Sequence, residues 1–292
     1  MYASYGGWFN KKVKGLPNPC HIAVDIQHVF SDTMPNVFIQ CEPRCIMDHR
    51  NYLKDHYHRY DFILTYDTDI LKYPNARPYI YGTTWIPRDY VPSISTKQAR
   101  ISNLAGTKSI NGAPGHLLRQ YIHHTQSKIK TFSGLPVTFY RSSKQQPHIK
   151  DYGGNPLIGD SKLVLFETYQ FAIVIENSKQ HGYFTEKIMD CLLTKTIPIY
   201  WGCPNIGDYF DTTGWIMIPD SDHLSDHLSD HPLSVLTSLD KDYYARYTEI
   251  IEANYNRAML YTDIYENLSK AFGDVENDQL ASQNGQPTDH CH

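Results

Sequence analysis

The chain has 292 residues, of which 41% are hydrophobic and 20% are charged, so its composition argues against intrinsic disorder. The net charge of −4 argues against a protein that holds nucleic acid on a basic surface. No stretch approaches the ~20 consecutive apolar residues of a membrane-spanning helix. At roughly 100–200 residues per domain, the length favours two domains.

The first third of the chain alternates β-branched and aromatic runs with helical patterns, which is typical of an α/β fold. The predicted strands here are His21–Asp25, Val37–Gln40, Phe62–Tyr66 and Tyr79–Tyr81. A polar segment between two of them, Asn51–Tyr60, is predicted to be helical. Two prolines in Ile86–Ser95 indicate a linker. We therefore expect a first domain over residues 1–95.

The remainder of the chain contains a strand–loop–helix–strand order, which predicts a parallel sheet. The predicted elements are a strand at Ala99–Gly106, a helix at Pro114–Ser127, a strand at Pro136–Tyr140, a βαβ unit within Lys162–Ile206 and one or two helices within Asp240–Phe272. We expect a second domain over residues 96–275, followed by a polar and disordered tail over residues 276–292.

Six cysteines are too few and too scattered for a disulfide framework. Cys41 and Cys45 are four positions apart, which is not CxxC spacing, and no second pair completes a zinc site. Reduced thiols in a reducing compartment are the simpler interpretation.

A period of four residues over Ser221–Leu233 places His223, His227 and His231 on one face if the segment is helical. Such a face can hold a transition metal. Because repeated Ser and Asp favour turns over helix, a solvated surface loop is the preferred interpretation.

The loop ENSKQHGYFTEK leaves the carboxyl end of a predicted parallel strand and opens a helix, which is where ligands of open α/β sheets bind. Free amides and the positive end of the helix dipole suit a diphosphate. Lys187 adds a cation, and Glu186 can accept hydrogen bonds from ribose hydroxyls. An ordinary capped helix start, with Thr185 as N-cap, is the alternative.

A longer run around this loop resembles the donor-binding motif of the α-1,3/4-fucosyltransferase family: YQFAIVIENSKQHGYFTEKIMDCLLTKTIPIYWGCPNIGDYF. The family pattern is an aromatic-rich strand, E-N-S/T, a short loop, Tyr-x-T-E-K, and a helix leading to P-I/V-Y-W-G. Upstream, NVFIQCEP resembles the family's strand that ends in a loop glutamate, and GHLLRQYIHH resembles a helix with a phosphate-binding arginine. The resemblance covers most of Val37–Ile218.

The resemblance implies an α/β protein with two Rossmann-like domains facing across a cleft, the GT-B-type glycosyltransferase architecture. It implies inverting transfer of a sugar from a GDP-sugar, with L-fucose expected, to a hydroxyl of an acceptor glycan. No cofactor is expected beyond this donor substrate, and a divalent metal is not expected to be essential.

Residue by residue, the resemblance assigns Arg119 and Lys187 to the diphosphate and Glu186 to the ribose. It places Asn177 and Tyr183 in the donor pocket and makes Glu42, in the acceptor-side domain, the general base. Without the resemblance, a surface glutamate paired with Arg44 is the preferred interpretation of Glu42.

Asp67-Thr68-Asp69 follows a predicted strand and matches the D-x-D signature by which other glycosyltransferases bind a divalent cation. Three-residue matches occur often by chance, so a turn with Asp67 capping the next segment is preferred. The sequence therefore predicts no metal site.

Three alternatives remain open from the residues. The same fold can transfer another sugar, such as xylose or a hexose, from a GDP- or UDP-sugar. The chain can also be a non-catalytic glycan-binding protein on a degenerate transferase fold, or a metal-dependent hydrolase that uses the histidine repeat. Animal relatives are typically tethered in the Golgi, whereas this chain without an apolar span is expected to work in a bacterial or virus-infected cytosol, with peripheral membrane association left open.

Overall fold

The chain divides into two units, each of which has its own parallel sheet. The computed structural model describes residues 3–5, 15–17, 19–106, 110, 112–141, 155–156, 162–220 and 231–272. Unit 1 comprises Met1–Tyr81 and Asp263–His292, and unit 2 comprises Gly82–Thr262. Parallel sheets with helices in both units confirm the predicted α/β class, with a Rossmann-like sheet in each unit.

Unit 1 holds a five-stranded parallel sheet in the order β1-β2-β3-β4-β5. Its strands are β1 (Ala3–Tyr5), β2 (His21–Val24), β3 (Asn36–Ile39), β4 (Phe62–Thr65) and β5 (Ala76–Pro78). Its helices are α1 (Arg50–His56) and a helix over 264–272, which is α6 in chain order.

Apolar clusters cover the central strands of the sheet of unit 1 on both faces. Alternate residues of a strand point to opposite faces, so one strand contributes to both clusters. Val37 and Ile39 of β3 belong to one apolar cluster, and Phe38 between them belongs to the other. The first cluster also contains Leu268 and Phe272 of α6, which are at most 5% exposed. The core of unit 1 is therefore built from two separate parts of the chain.

Unit 2 holds a six-stranded parallel sheet in the order β11-β10-β9-β6-β7-β8. Its strands are β6 (Gln98–Ala105), β7 (Val137–Arg141), β8 (Asn155–Pro156), β9 (Tyr169–Ile175), β10 (Ile197–Trp201) and β11 (Ile216–Met217). Its helices are α2 (Pro114–His124), α3 (Gln126–Phe132), α4 (Glu186–Leu193) and α5 (Thr248–Met259).

The first unit ends at Tyr81 and the second begins at Gly82, whereas the predicted boundary lies between residues 95 and 96. The segment after Gly82 is tied to unit 2, because the Thr84 hydroxyl and the Trp85 amide donate hydrogen bonds to the Asp190 carboxylate of α4, at 2.7 and 2.8 Å. In addition, α6 was expected in the second domain but belongs to unit 1. The predicted tail at 276–292 lies outside the described residues.

None of the helices that the structure describes combines the length and the apolar character needed to cross a bilayer.

Candidate functional site

The carboxyl end of β9 and the start of α4 are joined by a buried carboxylate. Glu176 follows β9 directly, and its side chain is fully buried. Its carboxylate accepts hydrogen bonds from the Thr185 amide at 3.0 Å and from the Thr185 hydroxyl at 2.8 Å. Thr185 is in turn the N-cap of α4, since its hydroxyl oxygen accepts from the Lys187 amide. These bonds fix the first turn of α4 beside the end of a central strand.

Helix α2 approaches the same strand end closely because it carries a glycine in its first turn. A Cβ at Gly115 would lie 1.8 Å from the Glu176 carbonyl oxygen, so no larger residue fits without a backbone shift. The Gly115 amide donates to the Asn177 carbonyl at 3.1 Å. This contact fixes where the next turn of α2 lies.

Arg119 lies one turn further along α2 and is held by the same strand end. Its guanidinium donates to the Ile175 carbonyl at 2.7 Å and to the Asn177 side-chain oxygen at 2.9 Å. Two bonds from a planar group fix its orientation as well as its position. The structure thus brings together Arg119 and Asn177, which the sequence assigned to one donor site.

A cluster of alternating charges surrounds the first turn of α4. The Lys187 ammonium lies 3.4 Å from a Glu186 carboxylate oxygen and 3.6 Å from one of Glu176. The Lys162 ammonium lies 3.4 Å from the same Glu186 oxygen. Glu186 and Lys187 are therefore close enough to opposite charges for the pKa of each to be shifted.

The protonation states of this cluster follow from that arrangement. Burial works against both charged forms, but Lys187 and Lys162 outweigh it at Glu186 and lower the pKa of that carboxyl to about 2. At Lys187, burial is outweighed by Glu186 and Glu176, so the pKa of its ammonium lies above the usual value. Near neutral pH the site therefore presents ionised Glu186 and protonated Lys187.

A cavity of about 310 Å³ opens between these elements of unit 2, within the size range of small-molecule sites. Its lining includes four of the five residues predicted to bind the donor: Arg119, Asn177, Glu186 and Lys187. Tyr183 is 2% exposed and is not part of this lining. Apolar walls come from β9 and from Leu165 and Phe166, so the cavity combines an apolar interior with convergent charged groups.

Asp190 also lines the cavity, four residues after Glu186 on α4. One of its carboxylate oxygens accepts the bonds from Thr84 and Trp85, and the other lies 3.9 Å from the Lys162 ammonium. Burial raises the pKa of Asp190 to about 6, although Lys162 and the two donors act in the opposite direction. This carboxyl group therefore titrates well above an ordinary aspartate.

The raised pKa of Asp190 predicts a specific pH dependence of stability. A folded-state pKa above the unfolded value means that stability from this group is complete below about pH 4 and is lost as the pH rises through about 6. Relative to wild type, the free energy of unfolding of Asp190→Asn should therefore rise by roughly 2 kcal/mol between about pH 4 and pH 7. Urea denaturation across this range measures it, with the exposed Asp242→Asn as control; a constant offset between Asp190→Asn and wild type contradicts the prediction.

Glu42 lies in unit 1, just after Gln40 and Cys41 at the carboxyl end of β3. Its backbone amide donates to the Asp25 carboxylate at 3.0 Å, and its carbonyl accepts from the Gln40 side chain at 3.3 Å. Arg44, which the alternative interpretation paired with Glu42, donates to the carboxylates of Asp67 and Asp69.

The two candidate metal motifs have different outcomes. Both aspartates of the D-x-D motif bind Arg44, and the Asp69 amide donates to the Asp67 carboxylate at 2.9 Å, as in the preferred turn interpretation. His223 and His227 of the repeat lie outside the described residues, whereas His231 is buried and accepts from the Leu233 amide at 3.1 Å. The described part of the chain contains no group of three or more potential metal ligands.

Sequence reasoning missed several residues that build the site. Glu176 stands in the recognised E-N-S run, and its position directly after an apolar strand is a signal that could have identified it. Asp190 lies four positions after Glu186, so helical spacing alone places both on one face of α4. Lys162 has no comparable signal, because only the folding of the chain brings it to Glu186.

The sequence pattern described as "Glycosyltransferase family 10 (fucosyltransferase) C-term" matches residues 120–269, just over half of the chain. The match includes Asn177, Tyr183, Glu186 and Lys187, and it begins one residue after Arg119.

Among characterised relatives, the chain is 40% identical over 52 residues to "Alpha-(1,3)-fucosyltransferase FucT" of Helicobacter pylori, which is 18% of this chain and 11% of that protein. It is 36% identical over 80 residues to "Alpha-(1,3)-fucosyltransferase B" of Drosophila melanogaster, which is 26% of this chain and 18% of that protein. The chain thus matches less than a fifth of the length of either relative.

Among solved structures, a crystal structure of an alpha1,3-fucosyltransferase aligns with 84% of this chain and 79% of its own chain, at 16% identity and a TM-score of 0.45.

Proposed function

Because the chain belongs to glycosyltransferase family 10, the fucosyltransferase family, we propose that it is an inverting glycosyltransferase that moves L-fucose from GDP-fucose to a hydroxyl of an acceptor glycan. One observation supports this most strongly. Arg119, Lys187 and Glu186 converge on one cavity at the carboxyl end of a parallel sheet, beside a helix N-terminus. This is the arrangement that a nucleoside diphosphate requires.

In this proposal, the two cations stabilise the leaving group. Negative charge grows on the diphosphate as the bond to the sugar breaks, so fixed positive groups at that place lower the barrier. Arg119 is already oriented by its bonds to Ile175 and Asn177. Lys187 is kept protonated by Glu186 and Glu176 and acts as a point charge.

Glu186 is proposed to hold the ribose, and Asn177 and Tyr183 to shape the donor pocket. An ionised carboxylate only accepts hydrogen bonds, and the pKa of Glu186 near 2 keeps it in that form. It is therefore suited to the two hydroxyls of a ribose. Asn177 also orients Arg119, so it contributes to the pocket through a second residue.

Glu42 is proposed to be the general base. Inversion requires a base on the face opposite the leaving group, placed to take the proton of the acceptor hydroxyl as that oxygen attacks the sugar. The acceptor oxygen forms the new bond to the sugar carbon, the bond from that carbon to the diphosphate breaks, and GDP leaves with the electron pair. No step in this sequence requires a metal.

A donor screen tests the proposal. GDP-fucose and GDP should raise the melting temperature of the protein selectively, since a ligand at 100 times its Kd adds about 2.7 kcal/mol to the stability. The same screen includes other GDP-sugars and UDP-sugars, and chromatography follows the slow release of free fucose from GDP-fucose.

The possible outcomes of the screen separate the alternatives. Stabilisation by UDP-sugars alone points to a different donor. Stabilisation by GDP compounds without hydrolysis or transfer points to a non-catalytic binding protein. If no nucleotide changes the melting temperature or is hydrolysed, the proposed function is wrong.

A further inference from the structure

In unit 1, the buried carboxylate of Asp25 is hydrogen-bonded to the backbone at Glu42. Asp25 follows β2, and its carboxylate accepts hydrogen bonds from the amides of Cys41 and Glu42, at 3.0 Å each. Adjacent backbone amides that converge on one carboxylate fix the course of a loop strongly, because each bond is charge-assisted. The Asp25 backbone has a φ of +53°, a conformation that non-glycine residues seldom adopt.

Asp25 is itself held by a histidine. The side chain of His49 is fully buried, and its Nε2 lies 3.1 Å from the Asp25 carboxylate. Its Nδ1 lies 3.1 Å from the Gln27 side-chain nitrogen, which can only donate. Nδ1 is therefore the acceptor, so Nε2 carries the hydrogen that Asp25 accepts. This chain of bonds fixes the orientation of the carboxylate toward Cys41 and Glu42.

The carbonyl group of Glu42 is held by the Gln40 side chain. This side chain is fully buried at the end of β3. Its nitrogen donates to the Glu42 carbonyl at 3.3 Å, and its oxygen accepts from the Thr65 hydroxyl at 2.5 Å. The backbone of Glu42 is thus bonded on its amide side to Asp25 and on its carbonyl side to a residue fixed by the neighbouring strand.

We propose that Asp25 is a positioning residue for Glu42: it places the Glu42 carboxylate for proton transfer without touching the substrate. The inference rests on the proposed function, in which Glu42 is the base. A base must lie within hydrogen-bond reach of the proton that it removes, and a displacement of about 1 Å can cost 10²-fold in rate. Asp25 and His49 are both buried, and the pair is proposed to act on the reaction through the loop that carries Glu42.

The first test is Asp25→Ala, assayed for transfer or for hydrolysis of GDP-fucose at saturating donor. We expect kcat to fall about 10- to 100-fold, while the Kd for GDP changes less than twofold, because the proposed nucleotide site lies in unit 2. Asn36→Ala is the matched control. Asn36 is the first residue of β3, at the end opposite to Glu42, and its side chain makes hydrogen bonds of 2.8 and 2.9 Å with the Ser31 backbone. Asn36→Ala therefore loses a comparable network but should keep kcat.

Asp25→Asn keeps the shape of the side chain and tests the proposal if the alanine variant folds poorly. Asparagine retains one acceptor oxygen for the Glu42 amide but turns a donor toward another donor where Asp25 has its second oxygen, so this variant should recover only part of the lost kcat. If Asp25→Asn falls as far as Asp25→Ala, or if Asn36→Ala loses as much activity as Asp25→Ala at equal stability, the positioning role is wrong.

The decisive test combines Asp25→Ala with Glu42→Gln. If Asp25 acts only through Glu42, its removal should change the residual rate of Glu42→Gln less than twofold. Losses that multiply overturn the positioning role and leave the proposed function standing. If Glu42→Gln alone keeps full activity, the assignment of the base is wrong, and the positioning role falls with it.

Discussion

Glu42→Gln should lower the rate of sugar transfer by about 10²–10⁴-fold, the usual contribution of a general base, and leave the affinity for GDP unchanged. Glutamine has nearly the same shape but cannot take a proton from the acceptor hydroxyl. The bonds of its backbone to Asp25 and Gln40 do not involve the altered group. The loss should therefore be confined to chemistry, and kcat and the GDP Kd, measured separately, report the two effects.

A control for this substitution is available in the same unit. Asp48 is an exposed carboxylate whose pKa is lowered to about 2, chiefly by its hydrogen bond to Arg50. Asp48→Asn removes the same charge from unit 1 and should leave kcat within a factor of two. Full activity in Glu42→Gln, or an equal loss in Asp48→Asn, contradicts the mechanism with Glu42 as base.

Lys187→Ala should lower kcat about 10²–10³-fold by analogy with the loss of other charge-stabilising groups, and it should also weaken GDP binding. The ammonium lies within 3.6 Å of the Glu176 and Glu186 carboxylates, so its removal leaves two negative groups where the diphosphate is proposed to bind. The guanidinium of Arg119 remains, but it then has to offset the negative charge of both carboxylates. Calorimetric titration with GDP and initial rates with GDP-fucose measure the two consequences.

Lys195→Ala is the matched control for Lys187→Ala. Lys195 follows the other end of α4, and its ammonium pairs with Glu252 at 2.7 Å. Losing it removes one positive charge and one ion pair from the same unit, but not from the cavity lining. Near-normal turnover and GDP affinity in Lys187→Ala would take this residue out of the donor site.

The sequence predicted most elements because their apolar pattern is local. The strands β2, β3 and β4 lie within a residue or two of their expected bounds. The expected strand Tyr79–Tyr81 lies instead at Ala76–Pro78, a short distance after the helical turn Ile70–Lys72. The expected single helix at Pro114–Ser127 is two helices, since α2 ends before Thr125 and α3 begins after it.

The domain boundary was harder to predict because it depends on contacts between distant residues. Prolines in Ile86–Ser95 correctly suggest an irregular segment, but they do not show which unit it joins. Bonds from Thr84 and Trp85 to Asp190, more than a hundred residues later, tie this segment to unit 2. In the same way, apolar spacing predicts one or two helices within Asp240–Phe272 without showing that Leu268 completes the core of unit 1.

The candidate site was predictable to the extent that it lies in one contiguous motif. Asn177, Glu186 and Lys187 stand within a short run, and the structure places all three on the cavity. Asp25 and Lys162 were missed because a carboxylate or ammonium gains its role from the groups that folding brings to it. A single sequence without these contacts gives such residues no distinguishing pattern.

The interrupted course of unit 1 has a consequence for how the chain folds during synthesis. Residues 82–262 are contiguous, so unit 2 can form its core as soon as that segment has left the ribosome. Residues 1–81 emerge earlier, yet one face of their sheet lacks Leu268 and Phe272 until all of unit 2 has been made. Nascent chains that carry the earlier segment alone should therefore expose the apolar surface around Val37 and Ile39, and chaperones that bind such surface are expected to act on this protein before its synthesis reaches α6.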